Sequence, residues 1–461
     1  MNCFRLFLLL NLLFIAQPLI AQKINRKGIL GVGFYTTVPD SLAVALQYKN
    51  GVVIKNVIPN TTAAALGIQA NDIITQVNNT VIAQPTALPI VAKNLRADEN
   101  IEVTIVRNKV KKILAAKVLP KPYEQSDNAE IIYDAFPYKN GYVRTIYKTL
   151  KNKKPIGTIY FLQGLPCYSM DNFLPLDKTK QAIDALVERG FAVYRMEKAD
   201  MGDNTNQQPC ETMGFKDELA MYDAGYKNLL QLANVDTANI ILFGHSMGGV
   251  TAPLLAQKYQ PKAVVVYGTV FKPWLSYLLD ANLLQPQMMY GESAQKLQQQ
   301  INEALPYIHD YFLTDKTIEQ ITATPQGLAA MELLISYDAK TKLGLSGRAA
   351  SVHKELNQMN VKAAWAATNS AVLAIYGECD IAAINADDHI ALIDWVNKNH
   401  PGKGQFWLAP GTTHTFEAIG SMETFLKMQA NQAQYASYAA ARFNSKVFDY
   451  IGDWLKKQSS N

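Results

Sequence analysis

From Ala129 onward, short apolar runs alternate with longer segments of helical period, and this alternation limits the fold more than any other feature of the chain. Residues 157–162, 192–196, 240–243, 263–267, 371–376 and 405–408 are strand-length runs rich in Val, Ile, Leu, Ala and aromatic residues. Between or after them, residues 178–189, 216–232, 247–258, 387–399 and 439–457 carry the spacing of helices. Alternating strands and helices predict a doubly wound, mostly parallel sheet covered on both faces, with ligands at the carboxyl ends of the strands. Residues 131–135 and 142–147, just ahead, read as an antiparallel pair. The composition agrees: 49% hydrophobic and 18% charged residues suffice for large cores. A net charge of +5 with no basic block excludes a dedicated nucleic-acid binder. Four Cys, with neither CxxC nor HExxH, exclude a disulfide scaffold and a zinc ribbon, so no metal or other cofactor is expected.

The first residues set an expectation about compartment. Arg5 precedes an apolar run, Leu6 to Ile15, and Pro18-Leu19-Ile20-Ala21 ends in a small residue. This pattern predicts a secretory signal peptide over residues 1–21 with cleavage after Ala21, and a periplasmic or secreted mature chain. No later segment has 18 uninterrupted apolar residues, so no membrane span is expected in the mature chain.

Residues 28–120 have a different rhythm, with short β-branched runs separated by Asn, Asp, Gly and Pro. Within them, 51–78 passes from an apolar strand through Pro59-Asn60 into the small-residue helix 62–66, then Gly67, Asp72-Ile73-Ile74 and a strand ending in Asn78. This stretch resembles the centre of bacterial PDZ domains. The resemblance implies a small β-rich domain in which Gly31-Val32-Gly33-Phe34 holds the carboxylate of a peptide or protein C-terminus, next to a strand edge open to β-addition. A domain that only packs as a spacer is the competing reading. Polar residues 121–127 read as a linker, and 128–461 as the large domain.

Gly244-His245-Ser246-Met247-Gly248 stands between an apolar strand and a helical segment. G-x-S-x-G in that context makes a sharp turn that lifts a serine hydroxyl above the sheet, at a helix N-terminus that favours developing negative charge. A serine nucleophile needs a base, and the base an orienting carboxylate. Asp380 follows the strand 371–376, and His414 follows the strand 405–408, so both fall at carboxyl strand ends. His309, His353 and His389 lie in helical stretches, His400 precedes the last strand, and His245 is inside the turn itself. Glu378 is the competing acid, and Asp380 has the better reach.

Across about residues 129–461 these motifs resemble the α/β-hydrolase family. The resemblance implies a Ser246–His414–Asp380 triad and an oxyanion hole built from the backbone N–H groups of Met247 and, in the loop Gln163-Gly164-Leu165-Pro166, Leu165. Many members have His-Gly where this chain has Gln163-Gly164. Cys167, just past that loop, and Cys210 read either as a disulfide or as two buried thiols. Residues of about 275–368 form an insertion expected to be a helical cap, with Trp274, Tyr277, Met289, Tyr311, Met331 and Trp365 among its large apolar groups. The preferred reading is a serine hydrolase cleaving carboxylic esters, small-molecule or acyl. A serine peptidase of prolyl-oligopeptidase type and a non-catalytic binding protein are the alternatives.

Overall fold

The computed structural model describes residues 24–429 and 431–459. The expected leader, residues 1–21, lies outside the described residues.

The larger of two main sheets has eight strands, in the order Gly404–Ala409, Ala371–Gly377, Ala263–Tyr267, Ile240–His245, Thr158–Leu162, Ala192–Met196, Gly141–Leu150 and Ala129–Tyr138. The first six run parallel, and the last two add as an antiparallel pair. All residues of Ile240–His245 are buried, which is why the run reads as continuously apolar rather than alternating. Helices cover both faces. Phe215–Leu229, Gly248–Tyr259 and Asp387–Asn399 bury Tyr222, Ala252 and Leu392 in one core, while Lys178–Glu188 and Ser445–Ser459 bury Leu186 and Phe448 in the other. The fold is that of the α/β-hydrolases.

Between Ala263–Tyr267 and Ala371–Gly377 a helical cap stands over the carboxyl ends of the strands. Its helix Ala294–Leu313 buries Leu297, Ile301, Ala304, Ile308, Tyr311 and Phe312, a helical stripe, and Ser293 caps it by accepting the Lys296 N–H. These side chains pack with Trp274, Leu278 and Met331, and the same cluster continues into Leu165, Met247 and Val250 of the domain beneath. Trp365, grouped with the cap by its place in the sequence, packs in the core of the main sheet instead.

The first domain is a sheet of Val32–Phe34, Val52–Val57, Ile73–Val77, Asn100–Arg107 and Val110–Lys117, in that order, with Thr80–Val81 paired to Ile73–Val77. Val52, Ile54, Ile74, Leu88, Val103 and Ile105 are among the residues of its core. Helix Asp40–Leu46, which the sequence reading does not include, buries none of its residues, so no core-facing stripe marks it. The helix expected over 439–457 is two helices, Gln432–Ala440 and Ser445–Ser459. The break between them is held by tertiary bonds, from the Ala418 N–H to the Arg442 carbonyl and from the Asn444 N–H to the Phe416 carbonyl.

Buried charge fastens the residues that flank the first domain to the hydrolase domain. The Arg26 guanidinium reaches Asp171 at 2.6 Å and Asp203 at 2.8 Å, donates to the Lys121 and Pro122 carbonyls, and lies 4.2 Å from the centre of the Tyr123 ring. Asp203 also receives the Arg144 guanidinium at 3.0 Å. Residues 121–127 are irregular but not loose: the buried Glu124 carboxylate takes the Lys148 ammonium at 2.6 Å and the Arg195 guanidinium. Removing one partner of such a buried set strands the others without solvent. Arg26→Ala is expected to lower unfolding stability by about 3–5 kcal/mol, measured by urea denaturation followed by fluorescence. A change below about 1 kcal/mol would show that the junction tolerates the unpaired carboxylates.

Candidate active site

Ser246 occupies the turn between strand Ile240–His245 and helix Gly248–Tyr259, with φ 56°. A left-handed serine is strained, and its backbone is held by the Ser246 N–H donating to the Tyr267 carbonyl at 2.9 Å. The turn closes only because its flanking residues lack side chains: a Cβ on Gly244 would meet the Gly248 carbonyl, and one on Gly248 the Leu162 carbonyl.

His414 and Asp380 meet on the neighbouring loops. His414 Nδ1 lies 2.7 Å from Asp380 Oδ2, and the other carboxylate oxygen accepts the Ala383 N–H at 2.9 Å. The Asp380 side chain is fully buried, whereas that of His414 is 23% exposed toward the cavity it shares with Ser246. Burial alone would raise the Asp380 pKa, but the charge and hydrogen bond of His414 hold it below the usual carboxylate range. Burial likewise opposes charging of His414, and the Asp380 carboxylate outweighs it, so the imidazole stays above its ordinary range. Glu378 is committed elsewhere, accepting the Gly411 N–H at 2.7 Å. Among the described residues no hydrogen bond links Ser246 Oγ to His414; such contacts commonly tighten on substrate binding.

Two further residues shape this pair and were not found from sequence. A side chain on Gly268, at φ 61°, would put its Cβ 2.6 Å from Asp380 Oδ2 and 2.8 Å from His414 Nδ1. The clue was there in a glycine directly after the strand Ala263–Tyr267, but only the fold shows what it makes room for. His245 Nε2 lies 2.8 Å from the His414 carbonyl; because a carbonyl only accepts, Nε2 carries the proton. Burial pushes the His245 pKa down to about 3, so this prop stays neutral.

The Met247 and Leu165 residues are buried beside Ser246, and neither backbone N–H has a hydrogen-bond partner among the described residues. A buried unpaired N–H is costly, and because both residues line the cavity that Ser246 lines, the pair suits an oxygen that gains negative charge. Cys167 and Cys210 form a disulfide, with Cα atoms 6.0 Å apart and a sequence separation of 43. Closing a loop of that length stabilises by about 4 kcal/mol in the chain-entropy account, and it ties the end of the Leu165 loop to the one-turn helix Cys210–Thr212. Free Cys379 is buried, and burial raises its thiol pKa to about 11, which makes it inert.

The cavity above Ser246 is about 580 Å³ and is walled on the cap side by Trp274, Tyr277, Leu278, Ala281 and Met289. No Asp, Glu, Lys or Arg is among the described residues that line it. In the first domain, Val32–Phe34 is at the edge of the sheet, paired among the described residues only with Val52–Val57, and is preceded by Gly31 at φ 79°. Val32, Phe34, Ala87 and Val91 all pack against the core of that domain.

Residues 28–118 match the family model of the PDZ domain, and residues 176–378 that of "Serine aminopeptidase, S33". The second match includes Ser246 and stops short of Asp380 and His414. No curated protein matches the chain. Among solved structures, it is similar to Est1E from Butyrivibrio proteoclasticus, at 12% identity and TM-score 0.42 over 71% of this chain and 99% of that one. It is also similar to the proline iminopeptidase of Mycobacterium smegmatis, at 14% identity and TM-score 0.42 over 71% and 99%. The Pyrococcus furiosus esterase Pf2001 is similar at 14% identity and TM-score 0.40 over 72% and 91%. These likenesses are too distant to add to the fold described above. The chain is thus a serine hydrolase of the α/β-hydrolase fold, similar over residues 176–378 to the serine aminopeptidases, that carries a PDZ domain ahead of its hydrolase domain.

Proposed function

We propose that this protein hydrolyses carboxylic esters through an acyl-enzyme on Ser246. His414 takes the serine proton and then delivers it to the leaving alcohol, and Asp380 fixes the imidazole tautomer and supports its charge. The Met247 and Leu165 N–H groups receive the oxyanion. The observation that favours an ester over the free amino terminus of a peptide is the uncharged cavity wall. An α-ammonium taken from water into such a cavity would need a carboxylate partner, and an uncharged acyl group needs none.

A fluorophosphonate probe is expected to label Ser246, and Ser246→Ala to lose labelling together with about 10⁶-fold in kcat. On parallel substrates, p-nitrophenyl acyl esters should be turned over far faster than aminoacyl anilides. The reverse preference would make the protein a peptidase, and an unlabelled folded protein would leave it a binding protein. Because the base must be neutral and Asp380 raises its pKa, kcat/KM should fall on the acid side with a midpoint above that of free imidazole. Asp380→Asn should cut kcat by about 10⁴-fold and move that midpoint to lower pH; an unmoved midpoint would reject the assignment.

We also propose that the PDZ domain docks a peptide or protein C-terminus at Gly31, Val32, Gly33 and Phe34, along the edge strand, rather than serving as a spacer. Fluorescence anisotropy with labelled peptides checks this: peptides with a free terminal carboxylate should bind, and their amides should not. Binding of neither would favour the spacer, and equal binding of both would reject recognition of the carboxylate. The leader pattern and the Cys167–Cys210 disulfide together support a periplasmic or secreted protein. N-terminal sequencing of the exported chain should begin at Gln22, and retention of Met1 in the cytoplasmic fraction would refute export.

A further inference from the structure

The loop Gln163-Gly164-Leu165-Pro166 is held from behind by two buried cations. Lys198, directly after strand Ala192–Met196 and Glu197, donates from Nζ to the Gly164 carbonyl at 2.6 Å and to the Leu165 carbonyl at 3.2 Å. Arg348, from the cap, donates to the same Leu165 carbonyl at 2.8 Å and to that of Met213 at 3.1 Å. Glu218, on helix Phe215–Leu229, balances both: Oε1 lies 3.0 Å from Lys198 Nζ and Oε2 2.7 Å from Arg348. The Lys198, Glu218 and Arg348 side chains are at most 3% exposed.

The consequence follows from peptide geometry. The Gly164 carbonyl and the Leu165 N–H belong to one planar trans unit, in which C=O and N–H point in opposite directions. Fixing the carbonyl on Lys198 therefore aims the N–H the other way, toward the cavity that Gly164, Leu165 and Ser246 line. The Leu165 carbonyl anchors the next unit, whose nitrogen belongs to Pro166 and has no hydrogen to compete for the oxyanion.

We propose that Lys198, seconded by Arg348, is the positioning residue that orients the Leu165 N–H as an oxyanion donor. The pairing of a cation with a carbonyl gives a charge-assisted bond, stronger than a neutral one, in surroundings where water does not compete. Buried cations are expensive: burial lowers the Lys198 pKa to about 8 even though the Glu218 carboxylate pairs with it, and the same carboxylate is the counter-charge of Arg348. Neither cation lines the cavity, so neither touches substrate.

This rests on the serine hydrolase reading, and the experiment separates the two. Wild type and Lys198→Met are compared for fluorophosphonate labelling, for kcat and KM on a p-nitrophenyl ester, and for affinity toward an aryl boronic acid, whose tetrahedral adduct places an oxygen in the oxyanion hole. Lys198→Met is expected to lose about 10²–10³-fold in kcat, with KM little changed and boronate affinity lowered in parallel. Lys198→Arg, which keeps a cationic donor, should recover part of both losses. If Lys198→Met does not fold, Lys198→Gln retains an N–H for the Gly164 carbonyl and should lose about tenfold in kcat at unchanged KM. A folded variant with wild-type kcat and boronate affinity, or one in which kcat falls while boronate affinity holds, overturns the proposal. Failure of the wild type to label or turn over ester would instead overturn the hydrolase reading itself.

Discussion

The structure turns on one backbone unit, the left-handed serine at the end of strand Ile240–His245. A non-glycine residue at positive φ costs on the order of 1 kcal/mol or more, and it persists only where its surroundings over-determine it. Here they do. The strand is flanked on both sides by parallel partners, the Ser246 N–H is tied to Tyr267, and Gly244 and Gly248 let helix and strand touch. Once the hydroxyl stands at that point, the strand order dictates the rest. Ala371–Gly377 and Gly404–Ala409 lie on one side and end in the loops of Asp380 and His414, while Thr158–Leu162 lies on the other and ends in the loop of Leu165. Asp380, His414 and Leu165 thus approach the serine from the two sides that the sheet leaves available.

Much of this could be read from the chain before any coordinates. The parallel strands are apolar without alternation because both faces are covered, so their places are visible to within one or two residues, as at Ala263–Tyr267. The nucleophile turn carries its own glycines, and the strand-end rule leaves His414 as the histidine at the right end of the sheet. What escaped depends on contacts between distant positions. The ends of helices Gln432–Ala440 and Ser445–Ser459 are decided by bonds to residues 416 and 418, which no local period encodes. Trp365 looks like a cap residue by position and belongs to the sheet by packing. Lys198, Glu218 and Arg348 resemble ordinary surface charges in sequence, and only the fold shows that they are buried together.

Two sets of buried polar residues do different work. Around Ser246, Asp380 holds His414 and is itself held by Ala383, with His245 bracing the histidine backbone. At the domain junction, Arg26, Asp171, Asp203, Glu124 and Arg195 touch no substrate cavity and serve attachment. Segment 197–203 belongs to both groups. Lys198 holds the Leu165 loop, Asp203 receives Arg26 and Arg144, and Asp200 pairs at 3.0 Å with Lys93, the last residue of the PDZ helix Ala87–Lys93.

That shared segment, together with the pinned residues 121–127, changes what the connection between the domains is. A loose linker would let the PDZ domain sweep a sphere around the catalytic mouth, and capture would depend on tether length and effective concentration. Here the connector is riveted to the sheet through Glu124 and Arg26. The segments on either side of the PDZ domain are thus held against the hydrolase sheet, and Lys93 paired with Asp200 adds a direct tie. Side-chain pairing, not the length of a tether, sets where the edge strand stands relative to the serine.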